Sequence, residues 1–329
     1  MHNAIALLFL TSFLVSSVVA QTPPAVTQQP QSSATTRPVN FATLIKKNVG
    51  FMRVAFLRED GPQIAEGTCF FVFYVDKRGG DNFGFMYLIT NRRVAKPGIT
   101  DGKNYPVFWT HVRLNLLNSN QGSEEDLIPI GGPLQWVFPT DDAVDLAVLP
   151  ILPDLNKFDY IAIPYSELAT RDVIESQRIA EGDSVLFTGY FYQFPGLKKF
   201  QPIVREGALA MMPDEKLDTT LKKPGHLYLA DVHVFGGNSG SPLFVNLAGL
   251  RNGSMMVGAR YMLLGIISGF YHEDSNLNLT IAINLTGKLE QNSGIAMVVP
   301  ADELKALLDS PALQALRDAY FASKSPGKP

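Results

Sequence analysis

Gly236-Gly237-Asn238-Ser239-Gly240-Ser241-Pro242 is a serine bracketed by glycines and followed by the apolar run Leu243-Phe244-Val245. Glycine accepts positive φ and leaves room for close approach, so a hydroxyl and neighbouring N–H groups can converge on one point. An oxyanion-binding loop is built in this way. The same residues also make good turn chemistry, so the stretch alone fits a hairpin connection equally well.

Working outward, the chain gives short runs rich in β-branched and aromatic residues, separated by Gly, Pro, Asn and Asp. Six are expected before the midpoint: Val49 to Leu57, Gly67 to Val75, Phe85 to Thr90, Val107 to Leu117, Leu134 to Phe138 and Val144 to Leu149. Six more follow: Ser184 to Phe191, Pro202 to Met212, His226 to His233, Ser241 to Val245, Arg260 to Phe270 and Gly294 to Val299. Two clusters of this size predict an all-β protein of two six-stranded antiparallel barrels, because closure removes exposed edges. The leucine spacing over Ala301 to Asp309 and Pro311 to Phe321 predicts helix at the C-terminal end.

The 329 residues carry a formal net charge of −3, with 46% hydrophobic and 18% charged side chains. That composition suits a globular chain and supplies no basic field for nucleic acid. The single cysteine, Cys69, excludes an intrachain disulfide framework. It sits in an apolar run and is expected to be buried and inert. The five histidines are scattered, and no paired-cysteine or His-Glu-x-x-His spacing occurs, so neither metal nor cofactor is expected. His272-Glu273-Asp274 reads as a polar loop cluster. Sequons at Asn252, Asn278 and Asn284 matter only in a eukaryotic secretory pathway.

Ala4 to Ala20 is an apolar run ending in small residues, which predicts a signal peptide over 1–20 and export. With little positive charge ahead of it, an uncleaved membrane anchor stays open as the alternative. Residues 21–40 are rich in Pro, Gln, Thr and Ser and read as a tether. The expected organisation continues with a first barrel over 41–160, a second over 161–300 carrying Ser239, helix over 301–322 and a tail over 323–329.

Four motifs then occur in order: Gly67-Thr68-Cys69-Phe70-Phe71-Val72, Leu88-Ile89-Thr90-Asn91-Arg92-Arg93-Val94, Val144-Asp145-Leu146-Ala147-Val148 and Gly237-Asn238-Ser239-Gly240-Ser241-Pro242. The series resembles that of the trypsin-like, chymotrypsin-fold serine peptidases of bacterial type, over about Phe41 to Leu308. Leu264 to Gly269 is similar to the family's substrate-pairing strand, and Gly294 to Pro300 also matches. The resemblance implies a nucleophile at Ser239, an orienting carboxylate at Asp145, oxyanion donors at Gly237 and Ser239, and ligand contacts from His233, Ser268, Gly269 and Phe270. Asn238 is similar to relatives that need no zymogen activation.

The resemblance also exposes a departure, since the residue in the family's histidine position is Arg93. A serine hydroxyl needs a base to take its proton and later return it to the leaving amine. Guanidinium stays protonated to about pH 12 and has no lone pair to offer. An ion pair between Arg93 and Asp145 is the expected arrangement. Loss of one triad member leaves roughly 10³- to 10⁴-fold acceleration over water, which is little for a peptide bond.

Two readings follow. One is a peptidase homologue without efficient catalysis that binds peptide or protein. The other is a serine endopeptidase whose base comes from elsewhere, with His111, His233 and Lys96 as candidates. The aromatics Phe187, Tyr190, Phe191, Tyr192 and Phe194 form a dense run, and those left exposed would make a recognition patch.

Overall fold

The computed structural model describes residues 25–26, 40–118, 120–128, 135–251, 253–256, 258, 260–280 and 284–324. The signal-peptide expectation, most of the tether, Asn252 and the last five residues lie outside them.

The Val49–Arg58 and Gly61–Val75 strands form a hairpin whose register runs from Val49 opposite Phe70 to Arg58 opposite Gly61. Gly61 takes φ +123° at its tip, a conformation open to glycine. The run Cys69 to Phe73 is buried without a break because its two faces serve different cores. Cys69, Phe71 and Phe73 point into the first sheet's interior, whereas Phe70 and Val72 join a central cluster with Leu186, Tyr190, Phe244 and Leu263 of the second unit. The Gly84–Thr90 strand repeats the division, with Met86 and Leu88 inward and Phe85, Tyr87 and Ile89 central. Strict alternation of side chains thus turns a continuous apolar run into two walls. Burying each such side chain contributes roughly 1.5–3 kcal/mol.

Six principal strands follow a single path in the first unit. Ala147–Pro150 pairs with Gly84–Thr90, then come Gly61–Val75, Val49–Arg58, Val107–Asn115 and Ser123–Ile128. The two-residue strands Ala25–Val26 and Ile163–Pro164 are added to it, making eight. The second unit is a closed barrel of six strands in the order Ile203–Met211, Tyr228–Asp231, Asn284–Pro300, Tyr261–Thr280, Pro242–Asn246 and Ser184–Gly189. Its interior is apolar, with Phe187, Leu243, Val245, Leu264 and Val298 among its members. The expected all-β architecture of two antiparallel units is present.

Individual elements differ from expectation for physical reasons. Ser123–Ile128 escapes a pattern-based reading because Glu124-Glu125-Asp126 interrupts any apolar alternation, yet it pairs along its whole length with Val107–Asn115. Of the strand expected over 134–138, Leu134 lies outside the described residues and Val137 makes an isolated bridge to Val148. The Tyr261–Thr280 and Asn284–Pro300 strands run on past the barrel as a long hairpin, with Thr280 opposite Asn284. His272, Glu273 and Asp274 therefore belong to paired strands, not to a loop.

The chain ends in two helices, Ala301–Leu308 and Pro311–Lys324, broken at Asp309 and Ser310. Leu304, Leu307, Leu308 and Leu313 close the central core from below. Arg317 is buried, lies 4.2 Å from the Tyr74 ring centroid and donates to the Tyr87 hydroxyl at 3.0 Å and the Leu308 carbonyl at 2.9 Å. Short helices at Phe41–Ile45, Arg92–Ala95 and Arg171–Gln177 were not legible as apolar periodicity.

Candidate functional site

Ser239 lies at the contact between the units, on a loop fixed from three sides. The side chain of Asn238, 1% exposed, donates to the Tyr190 carbonyl at 2.6 Å and accepts the Phe235 N–H at 2.8 Å. The loop is thus braced internally. Gly237 at φ +91° passes so close to Tyr190 that a Cβ would meet its ring at 2.5 Å, and Tyr190 stacks on Phe51 of the first unit at 3.8 Å. Gly240 at φ +88° would place a Cβ 2.0 Å from the Thr68 carbonyl.

Thr68 binds the loop from the other unit. Its N–H donates to the Ser239 carbonyl at 2.8 Å, and its hydroxyl donates to the Gly237 carbonyl at 2.8 Å and accepts from Tyr190 N–H at 2.9 Å. Thr90 donates to the Thr68 carbonyl at 2.8 Å. These two threonines stand in motifs quoted above, but their role as braces was not apparent from sequence. Cys69 beside them is buried, with its thiol 3.6 Å from the Gly50 carbonyl, and burial holds its pKa well above the ordinary thiol range.

Arg93 is carried on the one-turn helix Arg92–Ala95, directly after the Gly84–Thr90 strand. The side-chain amide of Asn91 donates to the Asp145 carbonyl at 2.8 Å and ties this turn to the segment entering the Ala147–Pro150 strand. Asp145, 1% exposed, accepts from the Arg93 N–H at 3.1 Å, Arg93 Nε at 3.0 Å, the Ser268 hydroxyl at 2.9 Å and the Thr220 hydroxyl at 3.0 Å. Four donors satisfy an ionised carboxylate in a buried site. Thr220, whose hydroxyl is also 2.7 Å from that of Ser268, was missed because nothing in its loop marks it. Its methyl group covers Gly269, where a Cβ would come within 2.6 Å.

The other edge of the Arg93 guanidinium turns to the serine, with Nη2 donating to Ser239 Oγ at 2.6 Å. Oγ in turn makes a long contact of 3.5 Å with the Ser268 carbonyl. Asp145, Arg93 and Ser239 therefore form a continuous chain of hydrogen bonds. Its middle member can donate and cannot accept, so no proton can pass along it from the hydroxyl.

The remaining candidates lie apart from this chain. The His111 ring nitrogen contacts Glu125 at 2.9 Å, and its ring stacks on Trp109 at 4.3 Å. His233 is exposed next to Gly294, and Lys96 caps the Arg92–Ala95 helix. Among the described residues none of the three bonds to Ser239.

Beside the serine loop opens a cleft of about 380 Å³ lined by Tyr192, Phe235, Gly236, Phe270, His272 and Asn292. Of the aromatic run, Phe187 and Tyr190 are core, while Tyr192 and Phe194 are each 51% exposed. Among the described residues no group of three His, Cys, Asp or Glu side chains is placed to hold a metal ion. No helix among them is long and apolar enough to cross a membrane.

Neither a protein-family model nor a curated protein matches the chain. Among solved structures it is similar to an HtrA-type protease AlgW variant with a tripeptide, at 16% identity and TM-score 0.44, over 82% of this chain and 62% of that one. It is also similar to Deg5 at 16% identity and TM-score 0.43, over 80% of this chain and 87% of that one. For the HtrA-type protease AlgW with a decapeptide the values are 16%, 0.44, 84% and 66%. The chain thus spans about three fifths of the first of these structures.

Proposed function

We propose that this chain is an exported homologue of the trypsin-like serine peptidases that binds peptide or protein through its cleft and does not cleave it efficiently. The observation that carries this reading is the 2.6 Å bond from Arg93 Nη2 to Ser239 Oγ. It sets a permanent cation in the family's histidine position and engages an oxygen lone pair that a nucleophile must offer. The buried ion pair with Asp145 holds the guanidinium there. Binding is supported by the braced serine loop, by the aromatic cleft beside it and by the Ser268 to Phe270 segment, which resembles a substrate-pairing strand. Export rests on the apolar run from Ala4 to Ala20.

The test is to incubate the purified full chain and its Ser239→Ala variant with a randomised hexapeptide pool and follow the pool by mass spectrometry. Retention of intact peptides by both proteins, with no products, is the expected result. Cleavage by the unmodified chain that vanishes in Ser239→Ala would replace this reading with an active peptidase.

A further inference from the structure

We infer that the site takes a peptide by its free C-terminal carboxylate, with an apolar or aromatic last side chain in the Tyr192, Phe235 and Phe270 cleft. The inference rests on the cleft-binding reading above and names its ligand class.

It starts from an inventory of donors. In the serine loop the N–H groups of Asn238, Gly240 and Ser241 are spent internally on the carbonyls of Phe235, Ile267 and Asn238. Those of Gly237 and Ser239, which alternate with them, donate to no acceptor among the described residues. Arg93 spends its backbone N–H and Nε on Asp145 and Nη2 on Ser239, whereas Nη1 has no acceptor among the described residues and the side chain is 24% exposed. Two backbone donors of the serine loop, and one donor of the guanidinium that bonds its hydroxyl, are thus without acceptors among the described residues.

The chemistry of these donors selects the ligand. An internal peptide group or a terminal amide offers a single carbonyl oxygen, and its N–H groups would meet the guanidinium donor to donor. A carboxylate offers two oxygens and about four acceptor positions, one oxygen for the loop N–H pair and one for Arg93. Asp145, 1% exposed, offsets much of the guanidinium charge, but it takes only the Arg93 backbone N–H and Nε and leaves Nη1 as a donor with no acceptor among the described residues. Charge-assisted bonds of this kind are roughly twice as strong as neutral ones.

The same geometry positions the last side chain. Gly236, next to the Gly237 donor, lines the cleft of about 380 Å³, together with Phe235, Phe270 and Tyr192. Because Gly236 adjoins Gly237 in the chain and lines this cleft, the side chain of a residue whose carboxylate meets Gly237 is directed to it, and an apolar wall favours an apolar or aromatic group there.

Two randomised hexapeptide pools that differ only at the C-terminus, free acid against amide, test the inference on the immobilised full chain. At low salt the acid pool should be retained at least tenfold more than the amide pool and be enriched in apolar or aromatic last residues. Arg93→Lys should keep much of that preference and Arg93→Gln should abolish it, each checked for a native circular-dichroism spectrum. The contrast in the unmodified chain decides the matter even where a variant fails to fold. Equal or better retention of the amide pool would overturn the carboxylate inference and leave cleft binding standing. Retention of neither pool would overturn both.

Discussion

The two walls of the site differ in what holds them. On the second unit's side, the loop from Phe235 to Ser241 is a tightly built turn, with glycines at positive φ, an internally bonded Asn238 and two N–H groups without acceptors among the described residues. On the first unit's side, the Asn91 to Val94 turn and Asp145 have equally tight geometry around a side chain with no basic lone pair. The loop that presents the Ser239 hydroxyl is held by backbone bonds and close packing, whereas the chemistry open to that hydroxyl depends on the one side chain bonded to it. Shape and reactivity are therefore separable, and each can be perturbed without the other.

The largest effect is expected on the shape side. Gly240→Ala forces a Cβ toward the Thr68 carbonyl, 2.0 Å away, at a φ that only glycine tolerates well. Little nearby can relax, so the variant should lose about 4 kcal/mol of unfolding free energy, or fail to fold, in denaturant titration. Asp145→Ala comes next, because it leaves Arg93 and the hydroxyls of Ser268 and Thr220 without their shared acceptor. Breaking one side of a buried pair of this kind should cost about 3 kcal/mol. A loss below about 1 kcal/mol would mean that the carboxylate is not the anchor described.

Arg93→His acts on the reactivity side, at the cost of the Arg93 to Asp145 ion pair. A neutral imidazole bonded to Asp145 can accept the Ser239 proton, and a positioned general base contributes about 10²- to 10⁴-fold. Fluorophosphonate labelling that depends on Ser239 should then rise at least ~100-fold. No gain would mean that the serine wall has drifted too.

The smallest effect is a control outside the Asp145, Arg93 and Ser239 chain of hydrogen bonds. Burial first, then the Asp141 charge, holds the Glu303 carboxyl above its ordinary value of 4.5. Folding there favours the neutral acid, so the contribution of Glu303 is most favourable below pH 4.5 and is lost as pH rises through the elevated folded value. Glu303→Gln should raise Tm by roughly 2 °C at neutral pH, with the gain vanishing below the ordinary carboxyl range. Labelling at Ser239 should not change.

The sequence disclosed the fold wherever one residue period governed a segment. The continuous run from Cys69 to Phe73 and the leucines at 304, 307, 308 and 313 declared their strand and helix because burial is regular there. The Ser123–Ile128 strand was hidden because its acidic run gives no apolar alternation, and the extension of the Tyr261–Thr280 and Asn284–Pro300 strands past Phe270 was read as loop. At the site, Arg93, Asp145 and Ser239 were visible because they stand in dense motifs, and the structure brings them into one hydrogen-bonded chain. Thr220 was invisible. It arrives from a loop 75 residues beyond Asp145, and no local pattern records a contact that only the tertiary fold creates. Ser268 was read as a ligand contact, and the further bond of its hydroxyl to Asp145 was not legible.

The central claim is that Arg93 leaves the Ser239 hydroxyl unactivated. A fluorophosphonate probe applied to the full chain and to Ser239→Ala measures this directly at the oxygen concerned. Equal, background-level labelling of both proteins is predicted. Labelling of the unmodified chain that disappears in Ser239→Ala would contradict the account.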